Sequence, residues 1–333
     1  MSVKKIAEQA GVSVATVSRV LHRSEQVTPH TRELVEKAMQ RLGYTAKDLA
    51  RGARGQCTLI GLVVPDLRET FFRQMAAGVQ RAAAQAGMSV FVCDLGGDDA
   101  RAPRYLELLA QAGVQGVVLA PAGADDASVT AEALQRLGEQ DICVVLADRE
   151  AARTALDSVS IDNTAGAYAA TKLLLDAGRR NIAIIAGPDG TKRGREQLDG
   201  YCAAHADAGA ALNRGLIFYS DYTVQGGREQ AQAVFAEHPE TDALFLTDDS
   251  ITLGALEALH ASGRKVPQDV AVVGVDGAGV LPALGLPITV LERPGEEMGR
   301  YAVELLQRAI VRRRDAPPTQ VTLMPELCVR GSE

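Results

Sequence analysis

Gly11-Val12-Ser13-Val14-Ala15-Thr16-Val17-Ser18-Arg19-Val20 decides the reading of this 333-residue chain. Ile6, Ala7 and Ala10 recur ahead of it at helical spacing, Gly11 is a helix-closing residue, and Ser13 can cap the N–H groups of a new helix. Two short helices therefore meet at a tight turn. On the second, Val17, Val20 and Leu21 can face a core while Val14, Ala15, Ser18 and Arg19 face outward. Small outward side chains near the start of a helix, followed by an arginine, suit entry into the major groove of DNA. Val27-Thr28-Pro29 opens a third helix, with Thr28 as cap and Pro29 at the first helical position, and Leu34, Val35, Ala38 and Leu42 repeat an apolar stripe. Three helices close a small core.

Charge points the same way. Through Thr58 there are 10 Lys and Arg against 5 Asp and Glu, a local +5, so a chain total of −7 leaves −12 on the remainder. An acidic chain avoids polyanions, but basic charge gathered at one end supplies phosphate contacts whose strength falls with salt.

The headpiece resembles that of the lactose-repressor (LacI/GalR) family of bacterial transcription factors, and the similarity continues along essentially the whole chain. The resemblance implies that Val14, Ala15 and Arg19 read bases, with Ser18 on the same face. It implies that Ser13 and Thr16 help hold phosphate, and that a symmetric homodimer binds near-palindromic double-stranded operator DNA. Small Val14 and Ala15 suit a thymine methyl, and Arg19 suits guanine. In the family the stretch equivalent to Thr45 to Arg54 is a hinge helix, opened by a proline and carrying a leucine that wedges into the minor groove. This chain has Ala46 and Ala53 at those places, beside Gly52, which costs about 1 kcal/mol of helix stability against alanine. Ala50, Arg51 and Arg54 remain for minor-groove and phosphate contact. The expected division is a headpiece over 1–44, a hinge over 45–57 and an effector-binding and dimerisation domain over 58–333.

From Thr58 onward, apolar runs alternate with amphipathic stretches. Leu59 to Val64, Ser89 to Cys93, Gly116 to Ala120, Ile142 to Ala147, Ile182 to Ala186, Ala243 to Leu246 and Val270 to Val275 read as buried parallel strands. Phe72 to Ala86, Tyr105 to Ala112, Ala165 to Ala177, Gln225 to Glu237 and Thr252 to Ala261 have helical spacing. The fold class expected is α/β: an all-α helix-turn-helix headpiece followed by two lobes of doubly wound parallel sheet, with ligands beyond the carboxyl ends of the strands.

These lobes resemble the type I periplasmic sugar-binding proteins, the ribose-binding protein above all. Phe71-Phe72, Asp148-Arg149, Asp162-Asn163, Asp248-Asp249 and Gly274 to Gly277 fall where that fold places its cleft loops. By that resemblance Phe72 and Tyr222, beside Phe71, stack on a sugar ring, and Asp148, Arg149, Asp248 and Asp276 bond its hydroxyls. Three positions depart from the pattern: Gln197 stands for an arginine, Asp248 for an asparagine and Glu292 for a glutamine. The cleft then sets Asp148, Asp248, Asp276 and Glu292 against Arg149. An acidic cleft disfavours anionic ligands and favours a neutral sugar or polyol, or an amine-bearing one, unless Arg193, Arg195 or Arg293 turns inward.

Cys57, Cys93, Cys143, Cys202 and Cys328 lack metal-like spacing and read as reduced thiols; no metal or cofactor is expected. The five histidines form no nucleophile or metal constellation, so enzymatic chemistry is not expected. No export signal, membrane-length apolar run or terminal leucine heptad is seen, which reads as a cytoplasmic homodimer. The expected function is an effector-controlled transcriptional regulator, a repressor of a carbohydrate-utilisation operon answering to a sugar or polyol. The alternative is the same architecture answering to a nucleoside or purine and acting partly as an activator.

Overall fold

A computed structural model of the chain describes residues 3–14, 16, 17, 20, 27–41, 58–120, 128–148, 156–277, 279–312 and 317–333. By its internal contacts the chain separates into Met1–Thr58 and Leu59–Glu333.

In the first unit, α1 spans Val3–Ala10 and α2 spans Pro29–Arg41, and residues 14, 16, 17 and 20 between them are helical. Gly11 takes a φ of 67°, a left-handed conformation that glycine adopts without a Cβ penalty, and Val12 N–H returns to the Ala7 carbonyl at 3.0 Å. Ser13 Oγ then accepts from Thr16 N–H at 3.1 Å, and Thr28 Oγ1 accepts from Thr31 N–H at 3.4 Å, so both expected caps form. Ile6, Ala7, Val17, Val20, Val35, Ala38 and Met39 make the core. Leu34, expected on the α2 stripe, is instead exposed. The buried face of α2 is turned one position on, through Val35, Ala38 and Met39. Leu21 and Leu42 lie outside the described residues.

In the second unit the strands in chain order are β1 (Thr58–Val64), β2 (Met88–Asp94), β3 (Gly116–Leu119), β4 (Cys143–Ala147), β5 (Asp157–Ile161), β6 (Ile182–Ala186), β7 (Ile217–Tyr219), β8 (Ala243–Leu246), β9 (Ala271–Val275), β10 (Thr289–Glu292), β11 (Gln320–Leu323) and β12 (Glu326–Cys328). The helices are α3 (Thr70–Gln85), α4 (Ala102–Gln111), α5 (Ser128–Glu139), α6 (Asn163–Asp176), α7 (Lys192–Asp207), α8 (Val224–Glu237), α9 (Asp249–Ala261), the one-turn α10 (Val280–Ala283) and α11 (Gly295–Arg312). Two six-stranded sheets result, ordered β11-β5-β4-β3-β1-β2 and β12-β10-β9-β8-β6-β7. β3 pairs in parallel with β1 and β4, and β8 likewise with β6 and β9; β12 runs antiparallel to β10.

Strand alternation explains why each sheet needs cover on both faces. Ile60, Leu62 and Val64 enter one apolar cluster while Val63, Val117 and Leu119 enter another on the opposite face. The second sheet divides in the same way, Ile182 and Ile184 from Ala183 and Ile185. Each such side chain contributes about 1.5–3 kcal/mol on full burial. The chain passes between the sheets after β5, after β10 and between β11 and β12. After the second passage α11 returns to the first lobe, where Met298, Ala302, Leu305 and Leu306 join its core.

All seven expected strands and all five expected helices of this unit form, with ends displaced by up to three residues. The strands β5, β7, β10, β11 and β12 and the helices α5, α7, α10 and α11 were not expected. β5 reads Asp-Ser-Val-Ser-Ile, with too few apolar residues to look like a buried strand. β7 and β12 are three residues long and half exposed.

Candidate functional site: headpiece surface and interlobe cleft

On the headpiece, Val14 is 48% exposed while Val17, three residues on, is fully buried, so the turn offers Val14 outward. Ser13 and Thr16 are joined hydroxyl to hydroxyl at 2.8 Å in the cap. Ala15, Ser18 and Arg19, and the hinge positions Ala50, Arg51, Ala53 and Arg54, lie outside the described residues, as does Arg149.

The cleft of the second unit is assembled from strand ends. Asp148 follows β4, Asp248 follows β8 and caps α9, Asp276 follows β9, and Arg293 follows β10. Phe71 and Phe72 stand at the start of α3, Arg193 and Gln197 on the first turns of α7, and Tyr222 in the loop before α8. Non-glycine residues with left-handed backbone are few among the described residues, and three of the four are Asp148, Tyr222 and Asp276. Such conformations cost about 1–3 kcal/mol each and persist where a site requires them. Gly187 permits one of them: a Cβ there would overlap the Tyr222 phenol.

Electrostatics depart from the expected acidic cleft. Arg193 and Arg293 both turn inward, with only 5% and 1% of their surface exposed, whereas Arg195 is exposed and donates to the Gly190 carbonyl. Arg193 Nη2 donates to Thr247 O at 2.9 Å and to Asp248 Oδ2 at 3.2 Å. Asp248 Oδ1 accepts from Ser250 N–H at 3.0 Å. Arg293 donates through its backbone N–H to Asp276 Oδ1 at 3.1 Å and through Nε to Oδ2 at 2.9 Å, with Nη2 closing the same pair. Asp248 and Asp276 therefore anchor arginines before they can meet a ligand. Glu292, expected to line the cleft, accepts from Gln74 Nε2 at 2.9 Å on α3. Glu292 ends β10 with its carboxylate engaged by Gln74, and Arg293, just past the strand, is the residue that closes on Asp276.

Burial pushes the Asp248 carboxyl up to about 6, with Arg193 pulling it down and Asp249 pushing it further up. Burial also opposes the charge on Arg193, but Tyr222, Asp248, Glu69 and Asp148 outweigh it and raise its pKa. Arg293 is raised as well: burial and the nearby Arg193 oppose its charge, and Asp276 and Asp148 prevail. Both guanidiniums remain protonated.

The aromatic rings are engaged. Arg293 Cζ lies 3.9 Å from the Phe71 centroid, Phe72 meets Phe71 edge-on at 5.2 Å, and Arg193 Cζ lies 4.9 Å from the Tyr222 centroid. What remains is a set of buried polar atoms without hydrogen-bond partners: Asp148 Oδ1 and Oδ2, Arg193 Nε and Nη1, Gln197 Oε1, Tyr222 OH and Arg293 Nη1. Gln197 Nε2 is fixed on Thr247 O at 3.2 Å, which aims its other end away from that carbonyl. A ligand rich in both donors and acceptors would complete the set. Among the described residues no cluster of His, Cys, Asp or Glu could hold a metal ion, and no helix is long and apolar enough to cross a membrane.

Sequence reasoning brought Phe71, Phe72, Asp148, Gln197, Tyr222, Asp248 and Asp276 to the cleft and named Arg193, Arg195 or Arg293 turning inward only as the alternative to an acidic cleft; Arg193 and Arg293 are the two that do. The signal for Arg193 was its place on α7, one helical turn before Gln197.

Two family models match the chain: bacterial regulatory proteins of the lacI family over residues 2–47, and periplasmic binding proteins and sugar binding domain of LacI family over residues 58–326. The regulator CelR of Thermobifida fusca is 35% identical over 339 residues, covering 99% of this chain and 98% of CelR. The ribose operon repressor of Escherichia coli K12 is 30% identical over 335 residues, covering 99% of each. A solved CelR–cellobiose complex is similar over 100% of both chains, with a TM-score of 0.75 and 33% identity. The lac repressor dimer bound to operator and an anti-inducer shares the fold at a TM-score of 0.72, 24% identity and coverage of 100% and 98%.

Proposed function

Because the chain belongs to the LacI family of DNA-binding transcriptional regulators, we propose that it is a cytoplasmic homodimeric repressor of a carbohydrate-utilisation operon, controlled by an uncharged, polyhydroxylated effector. Its relatives are transcriptional regulators rather than enzymes.

One observation carries the effector reading. The buried cleft atoms that make no hydrogen bond divide between donors, Arg193 Nε and Nη1 and Arg293 Nη1, and acceptors, Asp148 Oδ1 and Oδ2 and Gln197 Oε1, with Arg193 Nη1 4.0 Å from Glu69 Oε2 and Arg293 Nη1 3.7 Å from Asp148 Oδ2 as looser ion pairs. A hydroxyl both donates and accepts, so a ligand bearing several satisfies both kinds, whereas an anion satisfies only the donors and meets Asp148 unfavourably. Among the described residues, Asp148, Asp248 and Asp276, with Glu69 4.0 Å from Arg193, outnumber Arg193 and Arg293, which leaves no surplus positive charge there to hold a phosphate or carboxylate. The cellobiose bound by CelR supports a sugar-like class. The nucleoside or purine alternative has one relative in its favour, a PurR repressor at 27% identity, but no open aromatic face to receive a base.

In this reading the lobes close on the effector and change the pose in which the two headpieces meet DNA, so the ligand acts through its different affinity for two lobe arrangements. Ser13, Val14, Ala15, Thr16, Ser18 and Arg19 meet the major groove, and Ala50, Arg51, Ala53 and Arg54 the minor groove and backbone. In vitro selection from random duplexes with the full chain tests the first half, the expected product being a near-palindrome. Gel shift on the selected site with added sugars, polyols, nucleosides and sugar phosphates tests the second. A response to nucleosides or to sugar phosphates alone overturns the effector class.

A further inference from the structure

We propose that the effector is an acyclic polyol rather than a ring sugar, held by hydrogen bonds alone. This inference rests on the polyhydroxylated-effector reading and narrows it.

A pyranose presents an apolar C–H face as well as hydroxyls, and that face is normally buried against an aromatic ring. Among the described residues the cleft offers no such shelf. Arg293 covers Phe71 at 3.9 Å, Phe71 and Phe72 are 1% and 0% exposed, and Arg193 covers Tyr222 at 4.9 Å. Neither guanidinium lies there loosely. Arg293 is held through three donors on Asp276, and Arg193 by Thr247 O and Asp248. Behind Tyr222 stands Gly187, whose missing side chain leaves room only for the phenol itself. Freeing either ring would leave a buried carboxylate, Asp248 or Asp276, without the arginine that balances its charge, which is strongly unfavourable.

The groups that do face a ligand are polar and surround it from both lobes. Asp148, 7% exposed, offers two carboxylate oxygens from the first lobe. Arg193 and Gln197 answer from α7 of the second, and Arg293 Nη1, 3.7 Å from Asp148 Oδ2, lies between them. An acyclic polyol carries a hydroxyl on every carbon and can rotate each toward its partner. A ring fixes its hydroxyls around an equator and leaves its faces to be buried against charge. Adjacent hydroxyls of the polyol span the two oxygens of Asp148, and their neighbours accept from Arg193 and Arg293.

Isothermal titration calorimetry of the full-length protein tests this with four- to six-carbon alditols, the aldoses of matching configuration, cellobiose and nucleosides. The expected result is one alditol binding at least tenfold more tightly than its aldose, with a small heat-capacity change, because little apolar surface is buried. Asp148→Asn and Arg193→Gln should each weaken that alditol tenfold or more. Arg193→Lys, which keeps the charge but not the planar donor set, should fall between Arg193→Gln and the parent, with native circular dichroism and a cooperative melt at the titration temperature as the check that each variant is folded. An aldose or cellobiose binding as tightly as any alditol overturns the acyclic assignment and leaves the polyhydroxylated class standing. Binding of nucleosides alone, or of no polyhydroxylated compound, overturns both.

Discussion

Arg293 rests its guanidinium 3.9 Å above the centre of the Phe71 ring. The arginine leaves β10 where the chain crosses back to the first lobe, and the phenylalanine opens α3 of that lobe. The same side chain is bound to Asp276 of the second lobe and approaches Asp148 of the first at 3.7 Å. One residue thus touches both walls of the cleft at a crossover strand, so the spacing of the walls and the charge state of the cleft are linked through it.

Removing that side chain should be costly to the fold. In Arg293→Ala, Asp276 keeps its place after β9 with its charge buried and uncompensated, and such a loss destabilises by about 3–5 kcal/mol. Arg293→Lys should cost less, since a single ammonium can still meet one carboxylate oxygen. Urea unfolding followed by circular dichroism measures both. Equal stability of Arg293→Ala and the parent would show that Asp276 finds another partner.

The exposed apolar residues predict where two copies meet. Phe91 and Val92, 51% and 36% exposed, lie on β2, the edge of the first sheet; Tyr219, on β7, lies at the edge of the second. A row of unpaired apolar positions along sheet edges is a surface that soluble proteins cover. Phe91→Asp should convert the dimer to a monomer in sedimentation velocity at micromolar concentration. It should also weaken operator binding at least tenfold, because both half-sites must be engaged at once. A Phe91→Asp protein that still sediments as a dimer places the interface elsewhere.

Much of this architecture was legible because buried strands announce themselves. Ile182 to Ala186 and Ala243 to Leu246 are wholly apolar and could be read from sequence to the residue. β5 was hidden by its alternating Ser158 and Ser160, whose places in the sheet are set by neighbours β4 and β11 rather than by its own apolar content. In the cleft, resemblance to the sugar-binding fold, together with positions just after apolar runs, identified Asp148, Asp248 and Asp276. It could not tell that two of those acids would be consumed by arginines, because that depends on which way Arg193 and Arg293 point. For Arg293 the decisive fact is its place just past the end of β10, where its backbone N–H and its guanidinium both close on Asp276. For Arg193 it is the helical turn between it and Gln197, which brings both onto Thr247 O.

The hinge carries a prediction of its own. With Ala53 in place of a wedge leucine and Gly52 weakening helix formation, minor-groove unstacking is expected to contribute little and phosphate contact to supply a larger share of affinity. Ala53→Leu should tighten binding to the selected operator several-fold and increase the DNA bend, with the salt slope unchanged because no phosphate contact is lost. Circular-permutation gel shifts measure the bend directly. A strong bend already present in the parent and unchanged in Ala53→Leu would sink the argument.

The last prediction concerns pH and follows from Asp248. Its carboxyl is raised from the ordinary 3.8 to about 6, chiefly by burial, although Arg193 lies against it. A group whose folded pKa is raised holds its proton more tightly in the native state than in the unfolded chain. Below pH 4 both states are protonated and the contribution to stability is complete. Between pH 4 and 6 the unfolded chain ionises first, so stability drains away as pH rises, and the loss is finished above pH 6. A shift of this size corresponds to about 3 kcal/mol. Asp248→Asn has no such group to titrate, so the stability difference between parent and variant should change across that window, the parent losing ground as pH rises. Urea midpoints at pH 4.5, 5.5, 6.5 and 7.5 would measure it, and parallel curves for the two proteins would mean that Arg193 holds the carboxyl ionised throughout.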